Sequence, residues 1–373
     1  MLSQTPPMGW NSWNTFGNDI SDSLIRETAD AIIDNGLLDA GYNYAVIDDC
    51  WSKKQRGADG RMVPDPAKFP AGMKALSDYV HAKGLKFGMY SCAGTRTCAD
   101  YPGSYEYEFL DADSFASWGV DFLKYDYCYK PKYIEGHLLY KRMAMALRTC
   151  GRDILFSACS WGHDAPESFM RNAGAQMWRS TGDIIDNWPS VKDIVYQQVP
   201  LMPYGAPGCY NDMDMLIVGM HGRGNVGLGG CTDEEYKTHF SIWCLFNSPL
   251  MIGCDVRRLD DVTRTILTNR ELIAVNQDPE GRQPWIFLNE REQLAVLRPL
   301  SGGDYALGVF NLSDDTREVY ANFWDAGLPT GSGLGFALRD LWQHEDIGVV
   351  REGLRVNLEP HAGVVYRAKL VKA

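Results

Sequence analysis

Short apolar runs alternate with longer amphipathic segments over residues 1–275. The apolar runs predict strands at Pro7–Trp13, Tyr44–Asp49, Leu85–Cys92, Val120–Tyr127, Ile154–Trp161, Gln176–Asp183, Gly208–Asp212 and Pro249–Asp255. Helical periodicity between them, as in Ser23–Asn35 and Met73–Lys83, is followed by a glycine. This alternation predicts an α/β fold, a (β/α)8 TIM barrel. An open doubly wound sheet is the alternative, although no glycine-rich phosphate loop follows the first strand.

The pattern changes from about Pro284. Short alternating runs replace the helical segments, at Ala295–Leu297, Tyr305–Phe310, Glu318–Ala321, Leu354–Leu358 and Val364–Ala368. Clusters of glycine and serine separate several of these runs. The sequence therefore predicts a C-terminal antiparallel β-sandwich, with the barrel domain at residues 1–280 and the sandwich at residues 281–373.

Composition narrows the classes of partner and compartment. The net charge of −12 over 373 residues argues against nucleic acid and an anionic membrane surface as partners. No run approaches the ~18–20 apolar residues of a membrane span. The N-terminus, MLSQTPPMGW, lacks the features of a signal peptide. We therefore expect a cytoplasmic protein if the sequence is full length, and a secreted one if a signal was removed; a homo-oligomer is left open.

Three functional side chains are spaced two residues apart in the segment VDFLKYDYCY, residues 120–129. Side chains alternate along a strand, so Lys124, Asp126 and Cys128 are expected to point the same way. Charged groups at the end of a buried strand are costly unless they are paired or functional. The pattern indicates an active site, and an ion pair that only holds the barrel together is the alternative.

Carboxylates follow several other predicted strands, at the end of a barrel where active sites form. They are Asp48, Asp49, Asp183, Asp212, Asp214 and Asp255. The seven histidines do not gather at the strand ends, so we expect no metal and no cofactor. A phosphate site would need more cationic groups. Glycoside hydrolysis needs two carboxyls in different environments, polar groups for hydroxyls and an aromatic platform, which this inventory matches best.

Neighbouring residues suggest the two catalytic roles. Lys124 is expected to keep Asp126 ionised, as a nucleophile requires. An apolar setting at Ile184–Ile185 and a second negative charge would raise the pKa of Asp183, which suits a general acid. Arg179 is expected to orient Asp183 or to bind substrate. A helix N-cap is the alternative for Asp183, and a cap or a barrel hydrogen bond is the alternative for the Asp48–Asp49 pair.

Several long motifs together resemble glycoside hydrolase family 27, the melibiase-like family of α-galactosidases and α-N-acetylgalactosaminidases. They are PPMGWNSWNTF at 6–16, IDDCW at 47–51, GMYSCAGTRTCADYPGS at 88–104, WGVDFLKYDYC at 118–128, WRSTGD at 178–183, NDMDML at 211–216, FNSPLMIGCD at 246–255 and NQDP at 276–279. The resemblance covers nearly the whole chain. It implies a retaining glycosidase on a (β/α)8 barrel with a C-terminal β-sandwich, acting on carbohydrate.

The resemblance also implies roles for single residues. Asp126 matches the nucleophile and Asp183 the acid/base, while Cys98 and Cys128 match a disulfide beside the nucleophile. The substrate-binding set is Trp13, Asp48, Asp49, Tyr90, Cys98, Lys124, Cys128, Cys159, Ser160, Trp161, Arg179, Asp214 and Met215. Such a disulfide would be unexpected in a reducing compartment. Cys50 has no upstream cysteine, so we expect a free thiol there.

Substrate choice depends on the segment after the fifth strand. Many α-galactosidases of the family have a larger residue where this chain has Ser160, whereas animal N-acetylgalactosaminidases have serine there. His163 does not fit that second pattern. We favour terminal α-galactose, with α-N-acetylgalactosamine as the alternative. A β-L-arabinopyranosidase is less favoured because Asp48 is retained, and a catalytically inactive sugar-binding protein is disfavoured by Asp126 and Asp183.

Overall fold

Eight parallel strands form the first sheet of the computed structural model, which describes residues 2–329 and 331–373. The strands are β1 Met8–Asn11, β2 Tyr44–Val46, β3 Lys86–Cys92, β4 Phe122–Asp126, β5 Leu155–Cys159, β6 Met177–Arg179, β7 Tyr210–Asp212 and β8 Leu250–Ile252. Their order is β7-β6-β5-β4-β3-β2-β1-β8. Every strand expected before residue 275 is present, but most are shorter than predicted because the chain leaves the sheet before the polar motif ends.

Helices connect these strands on the outside of the sheet. They are α1 Trp13–Phe16, α2 Asp22–Asp34, α3 Leu37–Ala40, α4 Gly72–Ala82, α5 Glu108–Trp118, α6 Gly136–Thr149, α7 Met170–Ala173, α8 Trp188–Gln198, α9 Asp233–Leu245, α10 Asp261–Leu267 and α11 Arg270–Asn276. Side chains cap several helices: Ser21 Oγ accepts from Leu24 N at 3.2 Å at the start of α2. No helix within residues 2–329 and 331–373 is both long and apolar enough to span a membrane.

The alternation of side chains along β4 explains how the sheet builds a site. Leu123 and Tyr125 pack outwards in the core between strands and helices. Phe122 joins an apolar cluster formed by side chains of other strands. Lys124 and Asp126 share the face of Phe122 and follow it towards the carboxyl end of the strand. A short apolar layer therefore lies beneath the charged layer inside the barrel.

The barrel closes between β7 and β8 through Leu216, which follows β7. Leu216 N donates to Met251 O at 2.7 Å, and Gly253 N donates to Leu216 O at 2.9 Å. Leu216 pairs with Ile252 in the parallel sense. The first domain is thus the predicted (β/α)8 barrel, and the doubly wound alternative is wrong.

The rest of the chain forms antiparallel strands. They are β9 Trp285–Glu290, β10 Gln293–Pro299, β11 Tyr305–Asn311, β12 Arg317–Asn322, β13 Leu334–Asp340, β14 Glu345–Val350, β15 Gly353–Leu358 and β16 Gly363–Lys372. A six-stranded sheet has the order β14-β13-β16-β11-β10-β9, and β12 pairs with β15. This confirms the antiparallel C-terminal fold. The division of the domains at residue 280 remains a prediction.

The six-stranded sheet contacts the barrel with one face and its own core with the other. In β10, Leu294 and Val296 belong to the large core shared with the barrel, whereas Ala295 and Leu297 belong to the sandwich core. Arg298 is fully buried at this boundary and donates to Cys244 O at 2.9 Å. The sandwich is therefore packed firmly against the barrel at α9.

Candidate active site

The carboxyl ends of the barrel strands surround a pocket, and most of the residues that line it are of polar or charged type. The residues that line it are Asn11, Trp13, Asn14, Asp48, Asp49, Tyr90, Cys98, Lys124, Asp126, Ser157, Trp161, Met177, Arg179, Asp183, Asp212, Asp214, Met215, Val226 and Met251. Most of the polar side chains come from the last residue of a strand or from the segment that follows it. This is the end of a (β/α)8 barrel where catalytic groups gather.

Most of the predicted site residues line this pocket, and three do not. Cys128 lies just beyond β4 and forms the predicted disulfide with Cys98. Cys159 is buried at the end of β5. Ser160 is fully buried, and its Oγ donates to His163 O at 3.1 Å. The residue on which the substrate argument depended therefore lies behind the pocket wall rather than in it.

Lys124 links two carboxylates inside the barrel. Its Nζ donates to Asp48 Oδ2 at 2.9 Å and lies 3.9 Å from Asp126 Oδ2. Asn11 Nδ2 donates to the same Asp48 oxygen at 2.8 Å. Burial opposes the charge of Lys124, but Asp126 and Asp48 hold its pKa well above the ordinary value. The cation therefore stays charged and lies closer to Asp48 than to Asp126.

Asp126 is the more buried of the two proposed catalytic carboxyls. Its side chain is 7% exposed, and Cys98 Sγ lies 3.6 Å from Oδ2. Its Oδ1 is buried and accepts no hydrogen bond from the described residues. Burial raises the pKa of Asp126 to about 6, against the opposing charge of Lys124. Lys124, 3.9 Å away, favours the ionised form as expected, although burial outweighs it in the direction of the shift.

The pKa of Asp183 was expected to be raised, but the structure lowers it. Its side chain is 60% exposed, and Arg179 Nη2 donates to Oδ1 at 3.0 Å. Partial burial raises the pKa of Asp183, but the charges of Arg179 and Lys124 prevail and hold it below the ordinary value. The apolar setting that was expected to raise the pKa is absent because the neighbouring Ile184 turns into the core.

The capping roles considered as alternatives do not occur. Helix α8 begins at Trp188, and Asn187 is its N-cap, with Oδ1 accepting from Ser190 N at 3.0 Å. Asp183 is therefore not a helix cap. Asp49 Oδ2 accepts from Ala99 N at 3.0 Å, so this carboxylate anchors the loop after β3. Burial raises the pKa of Asp49.

Arg179 connects the segments that follow β6 and β7. Its Nη1 lies 2.8 Å from Asp214 Oδ1, and its Nη2 contacts Asp183. Asp214 Oδ2 accepts from Ile184 N at 2.7 Å, which fixes the backbone next to Asp183. Beneath them, burial raises the pKa of Asp212 to about 7. One guanidinium thus orients the acid/base candidate and a second pocket carboxylate together.

Aromatic side chains complete the pocket. Lys124 Nζ lies 5.3 Å from the centre of the buried Tyr90 ring, and Tyr90 OH donates to Cys98 Sγ at 3.5 Å. Trp13 belongs to α1, and its carbonyl accepts from Asn225 Nδ2 at 3.4 Å. A partly exposed indole beside charged groups is suited to contact with the apolar face of a sugar.

Some pocket residues were not singled out from the sequence. Asn11 and Asn14 lie inside the WNSWN motif, on either side of Trp13, which was predicted to bind substrate. The motif could therefore have indicated them. Val226 lies in a glycine-rich loop after β7; its amide donates to Asn14 O at 3.1 Å, and its carbonyl accepts from Asp186 N at 3.0 Å. Nothing in the local pattern marks Val226, because its position depends on contacts with distant segments.

A barrel pocket with two carboxyls in different environments, an ion-paired Asp48 and aromatic walls defines the class of glycoside hydrolases. The family model described as alpha galactosidase A matches residues 5–278, and that of the alpha galactosidase C-terminal beta sandwich domain matches residues 293–368. The chain therefore belongs to the alpha galactosidase A family. The family predicted from the motifs is confirmed.

Individual relatives agree with this assignment. The chain is 45% identical over 366 residues to an alpha-galactosidase of Cyamopsis tetragonoloba, covering 98% of this chain and 86% of that protein. It is 46% identical over 351 residues to alpha-galactosidase 3 of Arabidopsis thaliana, covering 93% and 77%. The crystal structure of alpha-galactosidase I from Mortierella vinacea superimposes with a TM-score of 0.92 at 35% identity, covering 98% and 97%.

Proposed function

We propose that this chain is an exo-acting, retaining α-galactosidase that removes terminal α-linked galactose from oligosaccharides or glycoconjugates. The observation that supports it most is the meeting of Asp126 and Asp183 in one pocket, in contrasting environments. Asp126 is enclosed, and one of its oxygens accepts no hydrogen bond from residues 2–329 and 331–373. Asp183 is exposed at the mouth, where a leaving group departs. Its relatives named alpha-galactosidase support the same sugar.

The proposed reaction has two displacements. Asp126 attacks the anomeric carbon while Asp183 donates a proton to the departing oxygen, which leaves a galactosyl ester on Asp126. Asp183, now ionised, takes a proton from water, and the hydroxide oxygen attacks the same carbon. The ester bond breaks, Asp126 is restored, and galactose leaves with its original configuration.

The other pocket groups bind the sugar in this proposal. Asp48 and Asp49 accept hydrogen bonds from two hydroxyls at one end of the ring, and Lys124 donates to the same end. Arg179 and Asp214 hold the opposite end, beside Asp183. Trp13 contacts the apolar face of galactose. The ion pairs that exist without substrate already hold these side chains in place, which lowers the entropic cost of binding.

The two catalytic carboxyls share one proton in the active range of pH. In the empty pocket that proton lies mainly on Asp126, because burial raises its pKa while Arg179 and Lys124 lower the pKa of Asp183. The reactive arrangement has the proton on Asp183. Both arrangements contain one proton, so kcat/KM follows the population of the singly protonated pair.

We expect kcat/KM for methyl α-galactoside to fall as pH rises through about 6, by about tenfold per pH unit, because the pair then loses its proton. The rate should also fall at pH values well below 3.8, the ordinary pKa of aspartate, because both carboxyls are then protonated. Initial rates between about pH 4 and about pH 8 measure the fall above about pH 6, with preincubated enzyme as the stability control.

The Asp183→Asn variant provides a sharp internal control for this profile. It leaves Asp126 as the only one of the two catalytic carboxyls that can titrate, and only the ionised form of Asp126 reacts. Residual kcat/KM on an activated aryl galactoside should then rise with pH instead of falling. A wild-type rate that stays constant up to about pH 8 would contradict the shared-proton description.

The structure supports galactose over N-acetylgalactosamine through the segment after β5. Ser160 is buried behind the wall, and Trp161 lines the pocket in its place. The small side chain of Ser160 therefore does not itself open space beside the sugar. β-L-arabinopyranosidase activity is disfavoured because Lys124 and Asn11 position Asp48. In this proposal Asp48 binds the C6 hydroxymethyl group of galactose, which arabinose lacks.

We expect kcat/KM for 4-nitrophenyl α-galactoside to exceed that for the α-N-acetylgalactosaminide by at least about tenfold. The two substrates share one leaving group, so their ratio measures only the sugar. The β-L-arabinopyranoside completes the comparison. A preference for the N-acetyl sugar would make α-N-acetylgalactosaminidase the better assignment.

The disulfide bears on where the enzyme works. Cys98 and Cys128 are joined beside the nucleophile, and such bonds persist in oxidising surroundings. This supports an oxidising compartment as the site of activity. Cys50 is a buried free thiol, as expected.

A further inference from the structure

The glycine-rich loop at residues 219–230, between β7 and α9, contributes Val226 to the lining of the active-site pocket. Half of the residues in this loop are glycine. The backbone polar groups of Val226 are already paired. Its amide donates to Asn14 O at 3.1 Å, and its carbonyl accepts from Asp186 N at 3.0 Å and from Leu228 N at 2.9 Å. What Val226 offers to a ligand in the pocket is therefore apolar surface.

Asp186 holds this loop in place at several points. The residue is fully buried, and its Oδ2 accepts from Gly222 N at 2.7 Å. Its carbonyl accepts from Gly230 N at 2.7 Å. Its Oδ1 accepts from Tyr236 OH at 2.8 Å, which ties the loop to α9. Together with the bond to the carbonyl of Val226, these contacts fix the loop near its start, at its middle and near its end.

The loop also contacts helix α1, which carries the proposed aromatic platform Trp13. Asn225 N donates to Thr15 O at 3.1 Å, and Asn225 Nδ2 donates to Trp13 O at 3.4 Å. A Cβ on Gly224 would lie 2.7 Å from Thr15 Cα, so glycine at this position allows the two backbones to touch. One flank of Val226 is therefore fixed against α1.

The other flank of Val226 is bonded to the segment that carries the acid/base candidate. Asp186 follows Asp183 by three residues, and Asp183 and Val226 both line the pocket. Both flanks lie beyond the ends of the barrel strands, so Val226 belongs to the mouth of the pocket. The methionines of the pocket pack instead in or against the apolar layer inside the barrel: Met177, Met215 and Met251. Val226 is thus an aliphatic group on the side of the mouth where Asp183 lies.

We propose that Val226 is a specificity residue for the leaving group, where its isopropyl group contacts an apolar face of the sugar to which galactose is attached. This rests on the proposed α-galactosidase activity, in which the leaving group departs beside Asp183. Polar side chains bind the hydroxyls of galactose in that reaction, whereas Val226 has no hydrogen bond to offer. A neutral hexose has faces of C–H groups that gain from contact with apolar surface, and a side chain on a fixed backbone loses little entropy on contact.

The test compares two substrates with the same galactose and different leaving groups. Methyl α-galactoside has only a methyl group beyond the anomeric oxygen, whereas galactosyl-α-1,6-glucose has a whole sugar there. Val226→Ala removes two methyl groups and leaves the backbone contacts in place. We expect kcat/KM for the disaccharide to fall about fivefold and that for methyl α-galactoside to change less than about twofold. Val226→Ile keeps the apolar surface and should keep the ratio of the two rates.

Leu228→Ala is the matched control, because Leu228 lies in the same loop, is 64% exposed and is not among the residues that line the pocket. It should leave both substrates unaffected. Equal losses on both substrates for Val226→Ala would show contact with galactose itself or a merely structural role, and unchanged rates on both would show no contact; either result overturns the proposal. Failure of the wild type to hydrolyse either substrate would instead overturn the proposed activity, before any variant is made.

Discussion

Replacing Asp126 by asparagine is expected to lower kcat by at least about 10⁴-fold, because the amide cannot form the galactosyl ester. Asparagine keeps the size of the side chain in a site where only 7% of the aspartate is exposed. The fold and the bound galactose should therefore be preserved. The measurement is kcat for 4-nitrophenyl α-galactoside, together with the Kd of galactose from calorimetry.

The control for this variant is Asp255→Asn. Asp255 follows β8 at the same end of the barrel and pairs with Arg257 outside the pocket. Its replacement should change kcat less than about threefold, as is usual for changes away from the chemistry. If Asp126→Asn retained activity near that of the wild type, the assignment of the nucleophile would be wrong.

Replacing Asp183 by alanine should have an effect that depends on the leaving group. With methyl α-galactoside, kcat/KM should fall by about 10³-fold, because a poor leaving group needs the proton. With 2,4-dinitrophenyl α-galactoside the same constant should fall less than about tenfold, since dinitrophenolate leaves without one. The slow step then becomes hydrolysis of the ester, which also needs Asp183 as a base, so a burst of dinitrophenolate should precede slow turnover.

Arg179→Lys separates the proton-transfer role of Asp183 from its position. Arg179 holds Asp183 and Asp214 at once, and lysine keeps the charge but not the two-sided contact. Because Arg179 also orients Asp183, the loss of kcat/KM should be larger for methyl α-galactoside than for 2,4-dinitrophenyl α-galactoside, but smaller than the loss caused by Asp183→Ala. Equal losses on the two substrates for Asp183→Ala itself would mean that this carboxyl binds or orients the sugar and is not the acid/base.

The fold could be predicted largely because the barrel strands are buried apolar runs that end in polar motifs. Three strands were missed from the sequence, and all lie in the second domain: Trp285–Glu290, Leu334–Asp340 and Glu345–Val350. Leu334–Asp340 is mostly buried, so exposure does not explain why it was missed. Glu345–Val350 is exposed along nearly its whole length, so it has no alternation of buried and exposed residues. Trp285–Glu290 is only half-buried. Such strands are defined by their neighbours in the sheet and leave little trace in the local pattern.

The site was predictable in its composition and less so in its electrostatics. Each strand-end motif supplied its carboxylate, and the motif resemblance supplied the roles. The order of the two catalytic pKa values depends on distances between strands that are far apart in sequence. Lys124 lies nearer Asp48 than Asp126, and Arg179 reaches Asp183. The alternation of side chains along a strand predicts which residues point into the barrel. It does not predict which of two carboxylates lies nearer to Lys124.

The identity of the nucleophile is tested most directly by adding azide to the Asp126→Ala variant with an activated α-galactoside. Azide can occupy the space of the missing carboxylate and attack the anomeric carbon from the side where Asp126 stood. The predicted product is β-galactosyl azide, formed with inversion and identified by the coupling of its anomeric proton. Formation of α-galactosyl azide, or no recovery of activity while Asp183→Ala gives the β product, would contradict the double displacement through Asp126.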